Sequence, residues 1–195
     1  MASVNMFDPV SIGSIRTRNR ICIPPMVIYH ISDETGTVKP QNVEHYRALA
    51  RGGAGLIIQE ATCISPEGRM SRDQLGIWSD DQIPGLRNIT EAVHQEGCPI
   101  FVQLHHAGLV SIETDALCPS DYAMDTNKGW KNGHEMTRDD IHRIRDAFIQ
   151  TAVRAEKAGY DGVELHGCHG YLLCQFFNNR VNRRTDEYGQ PEKLT

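Results

Sequence analysis

Two histidines and a tyrosine lie within six residues, in the segment His166-Gly167-Cys168-His169-Gly170-Tyr171. Imidazole N–H groups can hold a carbonyl oxygen and stabilise the enolate that forms when charge moves onto that oxygen. A tyrosine beside them can deliver a proton. The segment therefore predicts catalysis on a carbonyl compound by His166, His169 and Tyr171. The simpler alternative is that both histidines are structural.

A metal site is the competing interpretation of the same residues. His105 and His106 end another predicted strand, so their imidazoles could converge with those of His166 and His169. A catalytic zinc needs about three protein ligands and an open position. The sequence contains no HExxH motif and no CxxC pair, and we therefore predict no metal. Cys168 is expected to be an inert small residue.

One further side chain and two long connections could serve a ligand. Gln103 ends the same predicted strand as His105, and its amide offers an acceptor and two donors, which suits the edge of a heterocycle. Residues 62–78 and 107–136 are long connections that follow strands. Connections of this length usually carry function or are disordered, and we predict that both are substrate loops.

The elements that must position these residues alternate along the chain. Short apolar runs at 19–23, 55–58, 99–104 and 162–165 predict strands. Between them, helical spacing and capping signals predict helices, one over 41–51, one after Ser79 and one after Thr137. This order favours a parallel α/β sheet, either doubly wound or a (β/α)8 barrel. The GxGxxG motif is absent after the first strand, and the unusual residues follow the strands, which favours the barrel.

Composition excludes several classes of protein. The chain has 195 residues, a net charge of −5 and an isoelectric point near 6.0, without a basic block. We therefore expect no nucleic-acid or membrane partner. No apolar run approaches the roughly 20 residues of a membrane span. Residues 1–8 have neither the basic region nor the apolar region of a secretory signal, so we expect none. Six cysteines without regular spacing indicate reduced thiols, so we expect a cytoplasmic protein.

Ordered motifs along nearly the whole chain resemble the old yellow enzyme family of FMN-dependent NAD(P)H:flavin oxidoreductases, to which 2,4-dienoyl-CoA reductases are related. The resemblance begins with Phe7-Asp8-Pro9 and continues to Gly189. The intervening motifs are Arg18-Asn19-Arg20-Ile21, Arg51-Gly52-Gly53-Ala54-Gly55, Glu60-Ala61-Thr62, Pro66-Glu67-Gly68-Arg69, Gly76-Ile77-Trp78-Ser79-Asp80, Gln103-Leu104-His105-His106-Ala107-Gly108, residues 162–172 and Arg184-Thr185-Asp186-Glu187-Tyr188.

The resemblance implies an FMN held in the mouth of a (β/α)8 barrel, with NADH or NADPH as the reductant. Hydride would then pass from flavin N5 to the β-carbon of an activated alkene, and a proton would be added at the α-carbon. By motif, His166 and His169 would hold the carbonyl oxygen of the substrate, Tyr171 would donate the proton and Tyr29 would face the substrate. The residues expected to contact the flavin are Pro24, Pro25, Met26, Val27, Ala61 and Gln103.

Three features depart from the family pattern. Val27 stands where the family often has Thr or Cys, and Leu109 replaces an expected Arg. The chain is also about half as long as the family's barrel, so we expect residues 1–189 to form the N-terminal half, about four β/α units, followed by a non-family tail at 190–195. We expect a half-barrel to self-associate or to need a complementing chain. The alternative is a catalytically silent fragment that binds no flavin.

Overall fold

The computed structural model describes residues 4–123 and 132–189, so the predicted tail at 190–195 lies outside the described residues. Strands and helices alternate in the order that the sequence predicts. The strands are β1 (Val10–Ile12), β2 (Ile15–Thr17), β3 (Cys22–Ile23), β4 (Leu56–Cys63), β5 (Ile100–His105), β6 (Ala116–Cys118), β7 (Gly133–Glu135) and β8 (Gly162–Leu165). The helices are α1 (Pro40–Arg51), α2 (Ile83–Gln95), α3 (Arg138–Ala158) and α4 (Leu172–Phe177).

The central sheet has the order β3-β4-β5-β8, and all of its neighbouring strands run parallel. Spatial order therefore equals chain order, without the reversal that defines a doubly wound sheet. Helices α1, α2 and α3 pack in succession, α1 against α2 and α2 against α3. This is the arrangement of the first four β/α units of a barrel, and it decides between the two predicted architectures.

Local sequence signals set the ends of the helices. Thr137 accepts a hydrogen bond from the backbone N–H of Asp140, whose carboxylate in turn accepts from the N–H of Thr137, so α3 begins with a complete capping box. Gly159 ends α3 with φ 90°, a left-handed conformation that favours glycine. Ser79 and Gln82 form the predicted capping box ahead of α2, although a short 3-10 turn at Asp80–Gln82 comes first.

The hydrophobic core lies between the helices and one face of the sheet. Ile57, Ile100 and Val102 point toward the helices and are fully buried. On the opposite face, which lines the interior of a barrel, Ile58 and Phe101 are only half-buried. This inner face is thus apolar at its centre.

Two pairs of three-residue strands were not predicted. β1 and β2 form an antiparallel hairpin across Gly13, whose φ is 58°. β6 and β7 pair in parallel within the connection 107–136. Arg18, directly after the hairpin, donates hydrogen bonds to the carbonyls of Ala50 and Ala54. A strand of three residues is too short to show a readable alternation of apolar and polar residues.

Among the described residues, no helix combines the length and the apolar character required to cross a bilayer.

Candidate active site

The C-terminal ends of β3, β4, β5 and β8 surround one small cavity of about 210 Å³. This is the edge at which barrel enzymes carry their chemistry. Most of the residues that the sequence singled out face it together. The cavity is lined by Pro25, Val27, Tyr29, Ala61, Met70, Gln103, His166, His169 and Tyr171.

The segment after β3 presents alternate residues to the cavity. Pro25, Val27 and Tyr29 line it, whereas Pro24 is exposed and the side chain of Met26 is 72% exposed. In an extended segment successive side chains point to opposite sides, which explains why Pro24 and Met26 lie outside the cavity. Flavin contact by these two residues stays a prediction.

Glu60 is a buried carboxyl beneath this segment and was not among the predicted site residues. Its Oε2 accepts a hydrogen bond from the backbone N–H of Ile28 at 2.9 Å. Its Oε1 accepts from the hydroxyl of Tyr46 at 3.1 Å. Burial raises the pKa of Glu60 to about 7, and the charge of Asp73 adds to that effect. A carboxyl group two residues after the apolar run at 55–58 was the signal that could have identified it.

His166 and His169 face each other at the end of β8. Nε2 of His166 lies 3.4 Å from Nδ1 of His169. The backbone N–H of His166 donates to the carbonyl of Leu104 at 3.1 Å, and His169 has a φ of 56°, which is uncommon for a residue other than glycine. Burial and the neighbouring His169 lower the pKa of His166. His166 is therefore a neutral imidazole near pH 7, able to donate one N–H.

Tyr171 packs edge-on against two imidazoles. Its ring centroid is 4.4 Å from that of His105 and 4.8 Å from that of His166. Its hydroxyl donates to Sδ of Met70 at 3.2 Å. Burial raises the pKa of Tyr171, with contributions from Tyr29 and Cys168, so the phenol keeps its proton at neutral pH. Met70 was not predicted individually, although it belongs to the predicted substrate loop at 62–78.

The four-histidine metal set does not form. His106 turns away from the cavity. Its Nδ1 accepts a hydrogen bond from the backbone N–H of Gly108 at 3.0 Å. Nδ1 of His105 lies 3.1 Å from Nε2 of Gln74, an amide that also donates to the carbonyl of Ala61. Burial lowers the pKa of His105 to about 3 and that of His106 to about 4. Both are buried, neutral imidazoles.

Gln103 and Leu109 have different surroundings. The amide nitrogen of Gln103 donates to Oε1 of Glu164 at 2.6 Å, which leaves its amide oxygen available to a ligand N–H. Leu109 is 5% exposed, and a side chain added at Gly133 would meet its Cδ1 at 2.3 Å. Leu109 is thus a packing residue beneath β7 and does not line the cavity.

A partial β/α barrel with histidine and tyrosine side chains at its C-terminal strand ends has the architecture of the barrel enzymes, which carry their chemistry at that edge. A family model identifies the family within this class. The NADH:flavin oxidoreductase / NADH oxidase family matches residues 5–193, and the chain belongs to that family. The family resemblance inferred from the sequence is therefore confirmed.

Individual relatives agree with this assignment. NADPH dehydrogenases of Bacillus velezensis and Bacillus pumilus are 42% and 40% identical over 185 residues, covering 94% of this chain and 54% of each relative. Among solved structures, the old yellow enzyme homologue of Zymomonas mobilis is 34% identical with a TM-score of 0.89, and it is matched over 97% of this chain and 56% of that one. Morphinone reductase in complex with tetrahydroNAD is 31% identical with a TM-score of 0.89, over 98% and 57%.

The chain thus spans about half the length of the curated relatives that it matches. Its structural neighbours are old yellow enzyme barrels, and the part they share with this chain is a partial barrel. The predicted fold, the first half of a (β/α)8 barrel, is confirmed.

Proposed function

We propose that this chain supplies the catalytic half of an FMN-dependent oxidoreductase that takes electrons from NADH or NADPH and reduces activated C=C bonds. The observation that supports this most directly is the grouping of His166, His169 and Tyr171 around one cavity with the predicted flavin-facing residues. Family membership supports the flavin and nicotinamide chemistry.

The cavity fits the ring system of a flavin. Pro25, Val27 and Ala61 give one side of it a small, apolar surface, which suits a planar heterocycle. The amide oxygen of Gln103 can accept from a ring N–H at its edge. We do not assign the phosphate of FMN to residues of this chain. In a complete (β/α)8 barrel, the phosphate-binding loops follow the seventh and eighth barrel strands, whereas the central sheet described here contains four. We therefore assign only the ring-facing residues to this chain.

Bound FMN would supply the hydride, and the protein side chains would polarise the substrate. His166 and His169 would each donate an N–H to the carbonyl oxygen, where negative charge develops as the alkene is reduced. Tyr171 would donate the proton, since its raised pKa keeps the hydroxyl protonated. Tyr29, which is half-exposed beside the cavity, would contact the substrate.

We further propose that a second polypeptide segment completes the barrel, either from a complementing chain or from another copy of this one. In the described sheet, β3 and β8 each have one unpaired edge. Val163 and Leu165 on β8 are 40% and 56% exposed. Because the six cysteines are free thiols, we place the assembly in a reducing compartment, the cytoplasm.

The experiment is to mix the purified chain with FMN, remove free flavin on a sizing column and record absorbance across the protein peak. NADPH and a cyclic enone are then added and the reduced product is measured. Co-eluting flavin with product formation supports the proposal. A colourless protein peak that also stays inactive contradicts it for this chain alone and supports the silent-fragment alternative.

A further inference from the structure

The proposed carbonyl site contains a third metal-binding group that the proposed reaction does not use. Sγ of Cys168 lies 3.5 Å from Nδ1 of His166 and 3.6 Å from Nδ1 of His169. One donor atom from each of the three residues lies within 4.8 Å of the others. This cluster differs from the four-histidine set considered above, because Cys168 takes the place of His105 and His106.

The two distances from Cys168 match the edges of a tetrahedral zinc site. With Zn–S near 2.3 Å and Zn–N near 2.0–2.1 Å, tetrahedral geometry puts ligand atoms about 3.3–3.6 Å apart. Both distances from Cys168 to the histidines lie in that range. A single ion would use Nδ1 of His166, on the side of Cys168, and not Nε2, the nitrogen that lies 3.4 Å from Nδ1 of His169. The three ligand atoms would then lie within 4.8 Å of one another. Two imidazoles and a thiolate suit Zn²⁺ and disfavour Mg²⁺ or Ca²⁺, which prefer oxygen ligands.

The backbone holds these three residues in place. Gly170 follows His169 with a φ of 74°, and its carbonyl accepts from the amide of Gln175 at 2.6 Å. The N–H of Tyr171 donates to the carbonyl of Cys168 at 3.2 Å. His166 is buried, whereas Cys168 and His169 are exposed. An ion could therefore enter from solvent and keep a fourth position open.

We propose that His166, Cys168 and His169 bind Zn²⁺, and that the ion inhibits the enzyme by occupying the two histidines that would otherwise hold the substrate oxygen. The inhibitory consequence rests on the proposed function, whereas metal binding does not. Zinc would thus act as a reversible inhibitor that competes with the carbonyl substrate.

Co²⁺ tests the binding directly, because it takes zinc sites and is coloured. The intact chain is titrated with CoCl₂ under reducing, anaerobic conditions. We expect the absorption of a tetrahedral cobalt–thiolate centre to saturate at one ion per chain and to disappear when Zn²⁺ is added. Cys168→Ser should abolish the thiolate-to-cobalt band, and His169→Ala should weaken binding by more than about tenfold. Cys22→Ser, at another exposed thiol outside the cluster, should bind as the wild type does.

Loss of the band in Cys22→Ser, its persistence in Cys168→Ser, or no band at all would overturn the metal site. Zn²⁺ is then added to the flavin-loaded enzyme while enone reduction is followed. The apparent KM for the enone should rise with Zn²⁺ in the wild type. Relative to the metal-free KM of each protein, this rise should be smaller in Cys168→Ser. Turnover that Zn²⁺ leaves unchanged while the cobalt centre forms would overturn the inhibition. A cobalt centre in a chain that reduces no enone would contradict the proposed function and leave the metal site supported.

Discussion

The hydroxyl of Tyr46 lies 3.1 Å from Oε1 of Glu60 and 3.0 Å from the backbone nitrogen of the same residue. It donates to the carboxylate and accepts from the N–H, so one phenol satisfies two buried polar groups. The other carboxylate oxygen holds the backbone of Ile28. Through these contacts, α1 and β4 together position the segment that carries Pro25 and Val27.

This arrangement predicts a pH-dependent contribution of Glu60 to stability. Its pKa rises from 4.5 to about 7 on folding, so the folded protein binds the proton more tightly. The stabilisation is complete below pH 4.5 and is lost as the pH rises through 7. Each unit of pKa shift is worth about 1.4 kcal/mol. Between pH 5 and pH 8, the unfolding free energy of the wild type should therefore fall by roughly 2 kcal/mol more than that of Glu60→Gln, whose amide does not titrate.

Urea unfolding at the two pH values measures this difference. Glu44→Gln is the matched control, since Glu44 is exposed on the same helix as Tyr46. It should follow the wild-type profile. Parallel profiles for Glu60→Gln and the wild type would show that the carboxyl does not titrate in this range.

Tyr171→Phe should lower enone reduction by the flavin-loaded assembly about 10²- to 10⁴-fold, because it removes the proposed proton donor. Flavin retention on the sizing column should not change. Tyr122→Phe is a suitable control, since Tyr122 lies in another part of the chain and does not line the cavity. Equal rates for the two variants would exclude Tyr171 as the donor.

Gly68→Ala should destabilise the protein without any change of charge. A Cβ at Gly68 would lie 2.5 Å from the ring of His106, which is 3% exposed and cannot move aside freely. Overpacking of this kind costs about 1–3 kcal/mol, with roughly 2–4 °C in Tm per kcal/mol for a domain of this size. Gly167→Ala is the control, because a Cβ there would meet nothing within 4 Å. Similar Tm values for the two variants would contradict this account of the contact.

Arg184→Lys should loosen the long connection at 107–136. The guanidinium is 5% exposed and donates to the carbonyls of Pro119 and Met136 as well as to Asp186. An ammonium group cannot reproduce this planar set of donors, so we expect a loss of about 1–3 kcal/mol in unfolding free energy.

The same substitution at Arg145 provides the comparison. Arg145 pairs with Asp146 at an exposed position, where ion pairs contribute about 0–1 kcal/mol. Chemical denaturation of both variants measures the difference. An equally small effect at both sites would mean that Arg184 does not anchor the connection.

The sequence alone determined the helices α1, α2 and α3, the strands of the central sheet and most residues around the cavity, whereas the short helix α4 was not predicted. Thr137 and Gly159 mark the ends of α3 because capping acts within a few residues of chain. His166, His169 and Tyr171 could be found for the same reason, since they lie close together after one strand.

Tertiary structure alone decided which side chains from distant segments of the chain meet. It placed Tyr46 against Glu60 and Met70 against Tyr171, the latter pair 101 residues apart in the chain. It also turned His106 away from the cavity, so that its ring packs against Gly68 in a different connection. Such contacts depend on the relative positions of separate strands and on side-chain direction, which local periodicity does not encode.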